Sequence, residues 1–288
     1  MATSFTSIVE ALLTPSLPVL ILGLIIVFGG PVLLHLLLSS STSYTVPSSV
    51  VLVGPEGAGK TSLVTLLERG SGPAQTHTSQ TSHAVELNAS TDSASRQSFR
   101  NHDDDSGTHT KFLLIDTPGH PKLRSVAMGS LSREKKIRAV VFLVDASALA
   151  EHDTLASAAS YLYDLLLFFQ RRNAAKPSAR TTIPILVAAN KMDLFTALPP
   201  ASVRSRLESE LARIRASRSK GLLDSGDDVG SDDQDVWLGE FGSGEFSFQQ
   251  MTEFDIEVDV VGGSIVARGA EGPDVDGWWQ WMAQRVVS

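Results

Sequence analysis

"LVGPEGAGKTSLV", residues 52–64, sets three glycines, a lysine and a threonine at a spacing that narrows the fold at once. Gly54, Gly59, Lys60 and Thr61 match G-x-x-x-x-G-K-[ST], between a β-branched run at 50–53 and an amphipathic stretch from Lys60. That context predicts a strand, a tight loop and a helix. The N–H groups of Gly57, Ala58, Gly59 and Lys60 then converge on an anion, helped by the partial positive charge of the helix N-terminus. Lys60 is expected to bridge the β and γ phosphates and Thr61 to place its hydroxyl on Mg²⁺, with Gly54, Glu56 and Ser62 completing the contact surface. A plain glycine-rich turn explains the glycines but not the Lys-Thr pair.

Two later motifs say which nucleotide. In "LLIDTPGH", residues 113–120, Asp116 at the end of a strand offers a carboxylate to the Mg²⁺ shell and Gly119 an N–H to a γ-phosphate. His120 follows where an attacking water is oriented; the competing reading is an exposed loop histidine. In "NKMD", residues 190–193, the Asp193 carboxylate accepts hydrogen bonds, matching the N1–H and 2-amino donors of guanine, whereas adenine presents an acceptor at N1. Asn190 is expected to tie this loop to the phosphate loop, and the Lys191 stem to cover the base. Glu56 is a carboxylate near a γ-phosphate, so its side chain is expected to point outward and unaided hydrolysis to be slow.

Around these motifs, short β-branched runs at 50–54, 111–116, 139–145, 183–190 and 254–261 alternate with helical patterns from Lys60, at 156–172, 202–218 and 278–287. The alternation predicts an α/β fold, a three-layer domain with a mostly parallel central sheet, over residues 49–288. A polar stretch at 77–109 reads as a loop plus an edge strand near 83–87. The cluster His102, Asp103, Asp104, Asp105 and His109 within it lacks zinc-ligand spacing and reads as a solvated turn. Residues 88–90 form a glycosylation sequon, relevant only to a lumenal domain. The acidic, glycine-rich piece at 221–245 has no periodicity and is expected to be disordered. The run at 165–169 is flanked by Asp164 and Arg171 and reads as a core helix; Arg204, Arg206, Arg213 and Arg215 read as a solvated face of another. Trp278, Trp279 and Trp281 are expected to pack as aromatic core.

Residues 17–38 carry no formal charge if His35 is neutral, and as one helix they reach about 33 Å, enough to cross a bilayer. The expected order is a short lumenal N-terminus at 1–16, one transmembrane helix at 17–38, a Ser/Thr-rich linker at 39–48, then the domain. The net charge of −8 gives no basic footprint for nucleic acid, and the lack of cysteine excludes disulfides, zinc-thiolate sites and thiol catalysis.

On these motifs the chain resembles the translation-factor-type P-loop GTPases over residues 49–288. The N-terminal apolar helix, the short linker, "DTPGH", "THTSQTS" at 76–82 and the long polar insert are similar to the beta subunits of the signal recognition particle receptor. The resemblance implies GTP and Mg²⁺ as cofactors, a cytosolic GTPase domain, and a GTP form that holds the receptor's alpha subunit at the endoplasmic reticulum membrane; contact with ribosome or translocon is a further implied partner. It also implies a switch threonine on Mg²⁺, for which Thr78 is the choice, with Thr76 and Thr81 as rivals. The last base-contacting loop falls at "VDVVGGS", where Val261 and Gly262 offer backbone groups only. Two other functions compete: a structural anchor that keeps GTP without turnover, and a vesicle-coat-type GTPase, which would attach by lipid or an amphipathic helix.

Overall fold

The alternation of Val50 and Leu52 with Val51 and Val53 sends adjacent side chains of one strand to opposite faces, and both sets are fully buried. Only a sheet covered on both sides accommodates such a strand. In the computed structural model, the described residues are 17–41, 47–70, 75–89, 110–134, 136–175, 182–224, 237–239, 245–266 and 272–287. They form two units, Met1–Val46 and Pro47–Ser288.

The larger unit holds strands β1 (Ser48–Val53), β2 (His83–Ala89), β3 (Thr110–Asp116), β4 (Ile137–Asp145), β5 (Ile183–Asn190) and β6 (Ile256–Gly262), in the order β2-β3-β1-β4-β5-β6. All pairings are parallel except β2 with β3, which keeps the expected edge strand antiparallel. Val50 and Leu52 pack with Leu63 and Leu67 of one helix (Lys60–Arg69) and with Trp278 and Met282 of the last (Asp276–Val287). On the other face, Val51 and Val53 join Leu131 of helix Arg124–Arg133, Leu162 and Phe169 of His152–Ala174, and Leu207 of Pro200–Asp224. This is the three-layer α/β arrangement read from the sequence, and the 165–169 run lies inside its core. The tryptophans divide as one face cannot hold three: Trp278 and Trp281 are buried, with their indole N–H groups given to Val261 O at 3.0 Å and Asp259 Oδ2 at 2.8 Å, while Trp279 lies against Phe112.

Helix Pro200–Asp224 corrects one expectation. Arg215 is not solvated but 1% exposed, lying over the rings of Trp237 and Phe246 and donating to Glu245 O at 2.9 Å. The cause is the turn Phe248–Phe254 and the short piece at 237–239, which cover this helix: Leu238 is fully buried, and the Gln170 amide donates to Trp237 O while accepting from Gly239 N. Arg204 likewise lies over Phe248 and donates to Val258 O. Helix Arg124–Arg133, absent from the sequence reading, follows the DTPGH turn. Of the piece at 221–245, residues 225–236 and 240–244 lie outside the described residues, as do residues 101–109 with their His/Asp cluster and Ser90 of the sequon.

In the first unit, residues 17–41 are helical in three pieces: Leu17–Leu24, a wider π turn at Ile25–Gly29, and Gly30–Ser41. No helix among the described residues is long and apolar enough to cross a membrane. The break from a single helix at 17–38 falls beside Pro31, which has no N–H for the carbonyl one turn back; the wide turn absorbs that loss. Its large apolar side chains, such as Leu20, Ile26 and Phe28, are more than half exposed.

Candidate functional site

The parallel strands end on one side of the sheet, and every expected motif lies there: Gly54 follows β1, Asp116 ends β3, Asn190 ends β5. The chain leaves β1 toward β2 and β3 and then crosses from β3 past β1 to β4, so the helices that follow β1 and β3 lie on opposite faces of the sheet and their loops diverge to leave a crevice. The crevice is lined by Glu56, Gly57, Gly59, Lys60, Thr61 and Ser62 from the phosphate loop, with residues 76–79 and Gly119 opposite.

Lys60 is 6% exposed and gives its ammonium to Gly54 O at 2.8 Å and Pro55 O at 2.7 Å. Burial pushes its pKa down to about 8, against the pull of Asp116 and Glu56. Thr61 Oγ1 donates to Asp116 Oδ2 at 2.6 Å and lies 2.9 Å from Ser79 Oγ, which itself donates to Asp116 Oδ2 at 3.4 Å. Burial raises the Asp116 carboxyl above the usual range, opposed by the Thr61 hydrogen bond and by Lys60. Its Oδ1 is buried without a hydrogen-bond partner. A lone carboxylate oxygen beside two hydroxyls is a set of hard oxygen donors and fits Mg²⁺. The hydroxyl that reaches Thr61 and Asp116 is that of Ser79; Thr78 lines the crevice one residue away, and Thr76 pairs with Ser62 at 3.1 Å.

Gly119 brings the DTPGH turn against the phosphate loop: a methyl there would lie 2.3 Å from Lys60 Nζ and 2.8 Å from Glu56 N. Thr117, fully buried, donates to Leu52 O at 2.6 Å and fixes the turn to β1. His120 caps the turn Pro121–Leu123, its Nδ1 accepting from Lys122 N at 3.2 Å. Its Nε2 lies 4.0 Å from Glu56 Oε2, and both side chains are partly exposed.

At the other end, Asn190 joins three segments: its Nδ2 donates to Ala58 O at 2.7 Å, its Oδ1 accepts from Ile265 N at 3.2 Å, and its carbonyl accepts from Ala146 N. Gly59 leaves room for this approach, since a methyl there would lie 2.5 Å from Asn190 Nδ2. Lys191 takes a left-handed backbone, φ 66°, and extends to Asp145 Oδ2 at 2.5 Å. Burial acts to raise Asp145, but hydrogen bonds from Lys191, Ser147 and Ala148 overcome it and hold the carboxyl below its usual range. Asp193 Oδ1 accepts from the buried Ser264 hydroxyl at 2.7 Å. Ser264 and Ile265 are the residues that the sequence reading missed. Val261, expected to contribute a backbone group, lies inside β6 with its carbonyl taken by Trp278. The sequence signal for these contacts was the hydroxyl of Ser264 immediately past the Gly262-Gly263 pair at the end of the strand.

A family model described as signal recognition particle receptor beta subunit matches residues 28–254. The signal recognition particle receptor subunit beta of Saccharomyces cerevisiae is 31% identical over 175 residues, which are 60% of this chain and 60% of that protein. The chain therefore spans less than two thirds of that relative's length. A solved structure described as the signal recognition particle receptor SRb-GTP/SRX complex from Chaetomium thermophilum is 41% identical, with a TM-score of 0.69, over 82% of this chain and 99% of that one. The SRb-GDP-Mg structure from the same organism is 41% identical, with a TM-score of 0.61, over 85% and 100%. With the phosphate loop, the Asp116 turn and the Asn190 junction built on one sheet edge, and a family match over most of its length, this chain belongs to the signal recognition particle receptor beta subunit family.

Proposed function

We propose that this chain is a membrane-anchored GTP-binding subunit of the signal recognition particle receptor, which in its GTP form holds the receptor's alpha subunit at the endoplasmic reticulum membrane. The observation that carries the guanine reading is the placement of Asp193. Its Oδ1 is held by Ser264, which orients the carboxylate as an acceptor for two adjacent ring donors. GTP- and GDP-Mg-bound forms of the Chaetomium thermophilum relative support the same ligands here.

In this reading the N–H groups at 57–60 and Lys60 bind the phosphates, Glu56 and Ser62 lie at their edge, and Thr61, Ser79 and Asp116 hold Mg²⁺, which supplies charge neutralisation between the phosphates when bound. Gly119 and the segment at 76–79 respond to the γ-phosphate by ordering into a partner surface, and hydrolysis to GDP and phosphate releases it. His120 faces the reacting side and orients water. The three successive helical pieces at 17–41 form the anchor, with exposed apolar side chains directed to lipid and the Pro31 break tolerated there.

The test uses the full chain, tagged and purified from detergent-solubilised membranes, as wild type and Asp193→Asn. The amide keeps an oxygen for Ser264 but presents N–H to the base, which matches the 2-oxo group of xanthine rather than the 2-amino group of guanine. The wild type is expected to co-purify the alpha subunit with GTP, and the variant only with XTP. Equal capture with either nucleotide, or with none, would remove GTP control from the proposal.

A further inference from the structure

The sequence places a carboxylate, Glu56, in the phosphate loop, and the fold sets it opposite His120 of the DTPGH turn. The geometry of that histidine limits what it can do. Nδ1 of His120 accepts the Lys122 N–H, so its lone pair is spent. A neutral imidazole has one N–H and one lone pair, and with Nδ1 as acceptor the proton resides on Nε2. The ring therefore retains a single useful group on the crevice side, the Nε2–H donor. That atom lies 4.0 Å from Glu56 Oε2, about 1 Å beyond a direct hydrogen bond. The two residues are brought close by Gly119, which admits no side chain between its turn and the backbone of Glu56.

We propose that Glu56 is a positioning residue that restrains His120 and so holds down the intrinsic rate of hydrolysis. A carboxylate accepts only, so what it attracts is the Nε2–H, the same donor that would hold a water against the terminal phosphate. With the Nδ1 lone pair spent on Lys122, the Nε2–H is the ring's one group for the reacting water, and the pull of the Glu56 carboxylate turns it away from that water. Both side chains are open to solvent, His120 at 40% and Glu56 at 54%, so a basic side chain from a bound protein has access to Glu56 and would release the histidine. The inference rests on the reading of the chain as a GTPase.

The experiment measures single-turnover GTP hydrolysis and GTP affinity on the full chain in detergent, for wild type, Glu56→Ala, His120→Ala and the double variant. The ring tautomer of His120 is read in parallel from imidazole nitrogen NMR shifts. At saturating GTP, Glu56→Ala is expected to raise the single-turnover hydrolysis rate constant about two- to five-fold, the worth of one exposed polar contact. The gain is expected to vanish in the His120→Ala background, and wild-type His120 to carry its proton on Nε2. A rate that stays level or falls in Glu56→Ala overturns the restraint. So does an equal acceleration without His120, which would make the carboxylate act directly on phosphate charge, or a proton found on Nδ1. If no form of the chain binds GTP, it is the functional reading that fails, and the tautomer measurement still decides the placement of the ring.

Discussion

Ser79 and Thr78 differ by one position in the chain, and both line the crevice. Ser79 Oγ is within reach of both Thr61 and Asp116, and Asp116 Oδ1 beside them is buried and unbonded. Ser79→Ala is expected to weaken Mg²⁺-dependent GTP binding about ten-fold, the loss of one oxygen contact worth about 1.4 kcal/mol, with Thr78→Ala changing it by less than about three-fold. Nucleotide titrations at fixed and varied Mg²⁺ read the difference. Neighbouring hydroxyls in "THTSQTS" are indistinguishable by composition, so the register could not be read before the segment was seen against Thr61. Lys60, Asp116, Asn190 and Asp193 were legible because each belongs to a motif whose spacing is dictated by a strand end. Ser264 was not, because it acts through Asp193 and its own neighbourhood carries no such pattern.

Helix Pro200–Asp224 shows how an element acquires a second buried face. Its Leu207 and Leu211 meet the sheet as the 3.6-residue period predicts, but Arg215 is buried by a covering segment from later in the chain. The aliphatic stem packs while the guanidinium lies 5.4 Å from the Trp237 ring centroid and 5.7 Å from that of Phe246. Arg215→Ala is therefore expected to lower unfolding free energy by about 2–4 kcal/mol, read by urea denaturation, without changing GTP affinity. Periodicity locates strands and the sheet-facing side of helices, since both follow from backbone geometry. It carries no information about which loop returns to cover the remaining side, so the 237–239 and 248–254 coverings were invisible, as was the short helix Arg124–Arg133, whose small and polar residues give a weak apolar stripe.

At the scale of the molecule, a chain of net charge −8 keeps a buried lysine in its phosphate-loop crevice. With the folded-state pKa of Lys60 near 8 and the unfolded value at 10.5, the unfolded chain binds more protons between those limits. The destabilising contribution of charged Lys60 is full below pH 8 and is relieved as pH rises toward 10.5. Other groups, and the growing negative charge, act in the same window, so the comparison is between variants. In nucleotide-free protein, Lys60→Met is expected to lose on the order of 3 kcal/mol of stability relative to wild type as pH rises across 8–10.5, as read by denaturation at a series of pH values.

The Asn190 junction has one more consequence, for the order in which the protein is made. Its two side-chain bonds reach back 132 positions to Ala58 and forward 75 to Ile265. A chain leaving the ribosome from its N-terminus can assemble β1, β3 and β4 and the phosphate loop early, but the base end closes only when Ile265 has emerged. In the proposed GTP-binding reading, the guanine end of the site is therefore incomplete in every nascent chain that ends before Ile265.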